Sequence, residues 1–168
     1  MSDSPAPKHH LLAIRVENKA GVLVRIAGLF ARRGFNIVSL AVAPTNDVHF
    51  SRVSIVVDAE SAPLRQIVDQ LDKLINVVEI TELNPMEAQQ AELLLVTLKT
   101  DKKVAKKLTK LVAASKGTVL STSKEAMTVM LAGPPETLDD FETSLRNFEI
   151  LELQRSGSIA LPKLKSAS

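Results

Sequence analysis

The chain has 168 residues, of which 45% are apolar and 24% charged, and its formal net charge is +2. That is globular composition with enough hydrophobic surface for a real core, and the length suits two domains of roughly 80 residues better than one minimal unit. The absence of cysteine excludes disulfides, thiolate metal sites and cysteine nucleophiles, and suits a reducing compartment. Met1–His10 lacks the apolar run of a signal peptide, and no later segment reaches the ~18 consecutive apolar residues of a membrane helix, so a cytoplasmic location is expected.

From Leu12 to Glu17 the chain alternates in the manner of a strand and stops at Asn18-Lys19-Ala20-Gly21. Val22, Leu23, Ile26, Leu29 and Phe30 then fall at helical spacing, and Gly34 after Arg32-Arg33 ends the pattern. Asn36 to Val42 and Val53 to Val57 are β-branched and strand-like, separated by the turn-rich Pro44-Thr45-Asn46-Asp47. Leu64, Ile67, Val68, Leu71, Leu74 and Ile75 repeat the helical spacing, and Val77 to Thr81 returns to strand. The period fails around Asn84-Pro85, which reads as a linker, with Met86 to Ala91 able to form a short helical piece.

The same six elements then recur. Leu93 to Leu98 is a strand; Val104, Leu108, Leu111 and Val112 mark a helix with a lysine-rich outer face, stopped by Gly117; Thr118 to Ser121 and Met127 to Leu131 are strands. Pro134-Pro135 opens a helix carrying Leu138, Phe141 and Leu145, and Ile150 to Leu153 is the closing strand. Two βαββαβ repeats imply an α+β fold of two ferredoxin-like domains, each with helices on one face of an antiparallel sheet. The predicted organisation is an N-terminal disordered arm over 1–10, a first domain over 11–83, a linker over 84–91, a second domain over 92–162 and a flexible tail over 163–168. Val38, Leu40, Val42 and Val56 put apolar residues on both sides of their strands, which predicts a covering partner on the sheet or its edge.

The polar inventory argues against catalysis. His9 and His10 fall in the arm and His49 in a loop, where exposed and inert side chains are expected, and Glu17, Asp58, Glu79 and Glu82 are dispersed as solvated carboxylates. No phosphate-binding loop, nucleotide fingerprint or HExxH metal motif is present. RNA-binding modules of the same topology stack bases on sheet aromatics, whereas this chain has neither Trp nor Tyr, and Phe50 alone of its phenylalanines borders a sheet strand. The cluster Lys102, Lys103, Lys106, Lys107 and Lys110 reads as a solvated helix face. What remains is Glu17-Asn18-Lys19-Ala20-Gly21 leading into a helix. A glycine there admits close backbone approach, first-turn N–H groups attract a carboxylate, and Asn18 and Asn36 can each donate and accept. The bland alternative is a plain turn at Gly21 with Asn18 ending a strand and Asn36 capping an exit.

The string Glu17-Asn18-Lys19-Ala20-Gly21-Val22-Leu23, followed by Arg32-Arg33-Gly34-Phe35-Asn36-Ile37, resembles the amino-acid-binding ACT domain. The longer runs Gly28 to Thr45, Ser51 to Val57, Gln70 to Val77 and Leu151 to Gly157 are similar to the small regulatory subunits of acetolactate synthase. The resemblance spans nearly the whole chain, with Ala20 where members often have proline. It implies that the first domain is an ACT domain and that the chain is a non-catalytic homodimer or higher oligomer. It also implies valine, or a related branched-chain amino acid, bound between protomers by Asn18, Gly21, Val22, Leu23, Asn36 and Ile37, with Asn18 and Gly21 from one protomer and Asn36 from the other. No cofactor is implied on this chain: thiamine diphosphate, magnesium and FAD would belong to a catalytic large subunit that this chain activates and subjects to feedback inhibition. No nucleic acid or membrane partner is implied. A free-standing ACT sensor acting on another enzyme or regulator is the alternative.

Overall fold

The computed structural model describes residues 9–58 and 61–164. They form two compact units, the first running to Gln89 and taking in the chain again from Ser158, the second comprising Gln90–Gly157.

The first unit contains β1 (His9–Glu17), α1 (Val22–Arg32), β2 (Asn36–Pro44), β3 (Phe50–Asp58), α2 (Ser61–Leu71) and β4 (Val77–Leu83). Its antiparallel sheet has the order β2-β3-β1-β4. Alternation along β1 sends Leu12, Ile14 and Val16 into a core with Ile26, Phe30, Val53, Ile55, Val57, Ile67 and Leu71. Burying each such side chain fully contributes about 1.5–3 kcal/mol. The helices and both sheets therefore follow the expected order, and the class is α+β with two ferredoxin-like repeats.

The second unit repeats the plan. β5 (Ala88–Lys99) enters it, followed by α3 (Lys102–Ala114), β6 (Thr118–Thr122), β7 (Ala126–Gly133), α4 (Pro135–Ser144) and β8 (Ile150–Arg155), with β9 (Ile159–Pro162) after it. The sheet order is β6-β7-β5-β8, and β9 also pairs with β5. Leu94, Val96, Leu98, Leu108, Val112, Val129, Leu138 and Phe141 fill the core beneath α3 and α4.

Four details differ from the sequence expectation, each for a physical reason. His9 and His10, placed in the arm, are the opening residues of β1, paired with Asp58 and Val57; residues 1–8 of that arm, and 165–168 of the expected tail, lie outside the described residues. The linker is shorter than 84–91, because Asn84 caps a 3-10 turn over Pro85–Glu87 and β5 begins at Ala88. The second domain does not run to 162. Ile159–Pro162 forms β9, and Ala160 packs with Leu11, Ala13, Leu83 and Ala88, covering part of the second face of the first sheet with the chain's own end. Finally, the left-handed residue after α3 is Lys116 at φ 59, while Gly117 serves space: a Cβ there would sit 3.0 Å from the Met130 carbonyl and 3.1 Å from Val112 Cγ1.

Candidate functional site

The junction between β1 and α1 is held by its backbone. Asn18 N–H donates to the His49 carbonyl at 2.7 Å, and its side-chain Nδ2 donates to the Val48 carbonyl at 3.0 Å, tying the strand exit to the loop before β3. Gly21 is the residue before the helix, at φ 83, with nothing within 4 Å of where a Cβ would stand. No side chain among the described residues caps α1. Val22 N–H makes a long bond of 3.4 Å to the Lys19 carbonyl, and Arg25 N–H bonds Gly21 at 3.1 Å. The amides of Leu23 and Val24 have no acceptor among the described residues. An open first turn of this kind carries the positive end of the helix dipole and can receive a carboxylate.

A polar brace flanks this opening. Asn76 Nδ2 donates to Glu17 Oε2 at 2.5 Å, Lys19 Nζ donates to the same oxygen at 3.1 Å, and Arg25 Nη1 donates to Asn76 Oδ1 at 2.9 Å. The Asn76 bond, followed by the Lys19 bond, holds the Glu17 carboxyl below its ordinary range. Glu17 is therefore a positioned group rather than the free carboxylate the sequence suggested. Asn76 escaped the sequence reading because nothing local marks a partner that far along the chain.

The remaining expected contacts divide by register. Glu17 lies opposite Phe50, whereas Asn36 lies opposite Asp58, which in turn lies opposite His9. Asn18 and Asn36 thus stand at opposite ends of the sheet, separated by a strand length of roughly 25 Å. One small ligand cannot touch both within one chain. Val22 is buried in the core and Ile37 packs against it, so neither side chain is presented outward. Leu23 is half-buried and Asn36 exposed.

The corresponding junction of the second unit is closed. Asp101 Oδ1 accepts from Lys103 N–H at 2.8 Å and from Val104 N–H at 2.7 Å, capping α3. Those bonds, the Val104 one foremost, lower the Asp101 pKa. Away from that junction, Arg155 bonds Glu92 at 2.6 Å, Asp139 at 2.6 Å and Glu142 at 2.9 Å, joining β8, β5 and α4. No group of three or more His, Asp or Glu suited to a metal ion occurs among the described residues.

Comparison with known proteins decides the family. Residues 12–79 match the model of the AHAS small subunit-like ACT domain, and residues 91–164 match that of the small subunit of acetolactate synthase. The chain belongs to the acetolactate synthase small-subunit family. It is 40% identical over 158 residues to the acetolactate synthase small subunit of Mycobacterium bovis, covering 94% of each chain. It is 35% identical over 158 residues to small subunit 2, chloroplastic, of Arabidopsis thaliana, covering 94% of this chain and 33% of that protein. The crystal structure of the Thermotoga maritima small subunit superposes with a TM-score of 0.87 at 29% identity, covering 94% of this chain and 99% of that one. The family and the paired-repeat fold expected from the sequence are thereby shown. No helix among the described residues is long and apolar enough to cross a membrane.

Proposed function

We propose that the chain is a non-catalytic regulatory partner of an acetolactate synthase large subunit, and that it binds valine or a related branched-chain amino acid between two ACT domains. In this reading the effector carboxylate settles on the Leu23 and Val24 amides beside Gly21, and Asn18 Oδ1, which its bond to Val48 leaves available, accepts from the ammonium. Asn36 approaches from the second protomer, with the backbone of Val22 and Ile37 closing the crevice. The observation that carries the reading is the uncapped start of α1 with two amides lacking acceptors. The separation of Asn18 from Asn36 supports a shared site, because only a second copy can bring its Asn36 to this Asn18. The exposed edge strand β2, with Val38 and Val42 about half exposed, is a surface on which such a copy could pair.

Effector binding favours one arrangement of the ACT pair, and linkage transmits that bias to the enzyme; a coupling of 1–3 kcal/mol changes affinity about 5- to 150-fold. Thiamine diphosphate, magnesium and FAD belong, in this reading, to the large subunit, and the complex works in the cytoplasm. Calorimetric titration of the chain with valine, leucine and isoleucine tests the sensor role. Saturable heat with at least one of them is expected, and none with any removes it. Adding the chain to the large subunit should raise acetolactate formation from pyruvate and make it sensitive to that amino acid. A large subunit indifferent to the chain would point to a free-standing sensor.

A further inference from the structure

The second face of the first sheet is covered unevenly. Near the start of β1, Leu11, Ala13 and Val56 pack with Ala88 and Ala160. Farther along β1, the face carries Arg15, directly opposite Arg52 on β3. Like charges at a cross-strand pair repel each other unless an anion lies between them. Neither guanidinium has a hydrogen bond or ion pair among the described residues. Glu79 is Arg15's register partner on β4 yet makes no ion pair with it. Arg15 lies instead over the Phe50 ring, 4.3 Å from its centroid, which orients the guanidinium and leaves its N–H edge unused. The Nε of Arg52 is shut away from solvent and has no acceptor among the described residues. The chain's own described residues therefore leave part of this guanidinium's hydrogen-bonding capacity unmet.

We infer that Arg15 and Arg52 form a docking point for an aspartate or glutamate side chain of the large subunit, received on the open end of this sheet face. The inference rests on the regulatory reading above and names the surface through which that regulation would pass. The neighbours in register are small, with Ala43 beside Arg52 and Ala41 beside Ser54, so the floor is low and suits a projecting side chain rather than an enclosed small molecule. Arg15 and Arg52 are register partners, and a guanidinium fork matches the oxygens of a carboxylate bidentately. The excess positive charge supplies the complementarity that steers an acidic surface onto it.

The test measures affinity of the full chain for the immobilised large subunit in rising salt, for wild type, Arg15→Met, Arg52→Met, Arg52→Lys and the double Met variant. At least a tenfold loss is expected for each Met variant, with a shallower salt dependence in the double one and only partial recovery in Arg52→Lys. Calorimetry with valine on the free chain should be the same for all, and Arg52→Met should melt no lower than wild type, since it removes an N–H that lacks an acceptor. A double variant binding within twofold of wild type would overturn the docking assignment alone. So would Arg52→Met melting far below wild type, or inorganic phosphate giving heat with the wild-type free chain that Arg52→Met abolishes. Failure of the wild-type chain to bind the large subunit at all would remove the parent reading and this one with it.

Discussion

The two units start their first helix in opposite ways. At the β1–α1 junction a left-handed glycine leads into α1 without any side-chain cap, and two amides are left over. At the β5–α3 junction Asp101 turns its own carboxylate onto the Lys103 and Val104 amides. The same topology thus leaves first-turn amides without an acceptor among the described residues in one copy and caps them from within in the other. A repeat keeps its fold with or without a side-chain cap, since any acceptor at the first turn can satisfy those amides.

The strongest way to break this comparison is Gly21→Asp. Aspartate tolerates the left-handed backbone, so the fold should persist, but it sets a negative side chain where the effector carboxylate would lie. Valine affinity measured by calorimetry should fall at least about 100-fold, the magnitude of a charge-assisted bond lost and a repulsion gained. Retained affinity would place the site elsewhere. Next in size is Arg155→Met, which leaves Glu92, a carboxylate only 10% exposed, without its cation. It should cost about 2 kcal/mol in denaturant unfolding and leave valine binding unaltered, since the staple belongs to the unit without the opening.

Asp101→Ala sharpens the contrast. It should lower the melting temperature by a few degrees through loss of the cap, and Asp101→Asn should restore most of that, because Asn caps nearly as well. Valine stoichiometry should stay unchanged in both. A second equivalent bound by Asp101→Ala would mean that the cap alone had been excluding ligand. The smallest effect is the pH dependence. With its pKa lowered by folding, Asp101 contributes stability that is present above the ordinary aspartate range and is lost as pH falls through its lowered value. Wild type and Asp101→Asn should therefore differ in melting temperature above about pH 4 and converge as pH falls from there through the lowered value; parallel curves would show that the carboxylate is not what caps the helix.

Much of this was legible beforehand because period and turn chemistry are local. The apolar spacing of Ile26, Leu29 and Phe30, the alternation of Leu12, Ile14 and Val16, and the stop at Gly34 each report on their own few residues. Gly21 was legible for the same reason. Strand β9 was not, since Ile159–Pro162 is too short to show a period and its partners lie far back in the chain. The Asn76 brace on Glu17 and the convergence of Glu92, Asp139 and Glu142 on Arg155 depend on tertiary approach, which no spacing encodes. Register supplied what spacing could not: Asn18 and Asn36 stand at opposite ends of the sheet.

The most direct test of a carboxylate on the open turn is amide NMR of the uniformly labelled chain during titration with valine. The account predicts the largest shifts at the Gly21, Leu23 and Val24 amides, a second group at Asn36 and Ile37, and silence at Lys103 and Val104. Saturable binding that leaves Leu23 and Val24 unmoved, or that shifts Lys103 and Val104 instead, would contradict it.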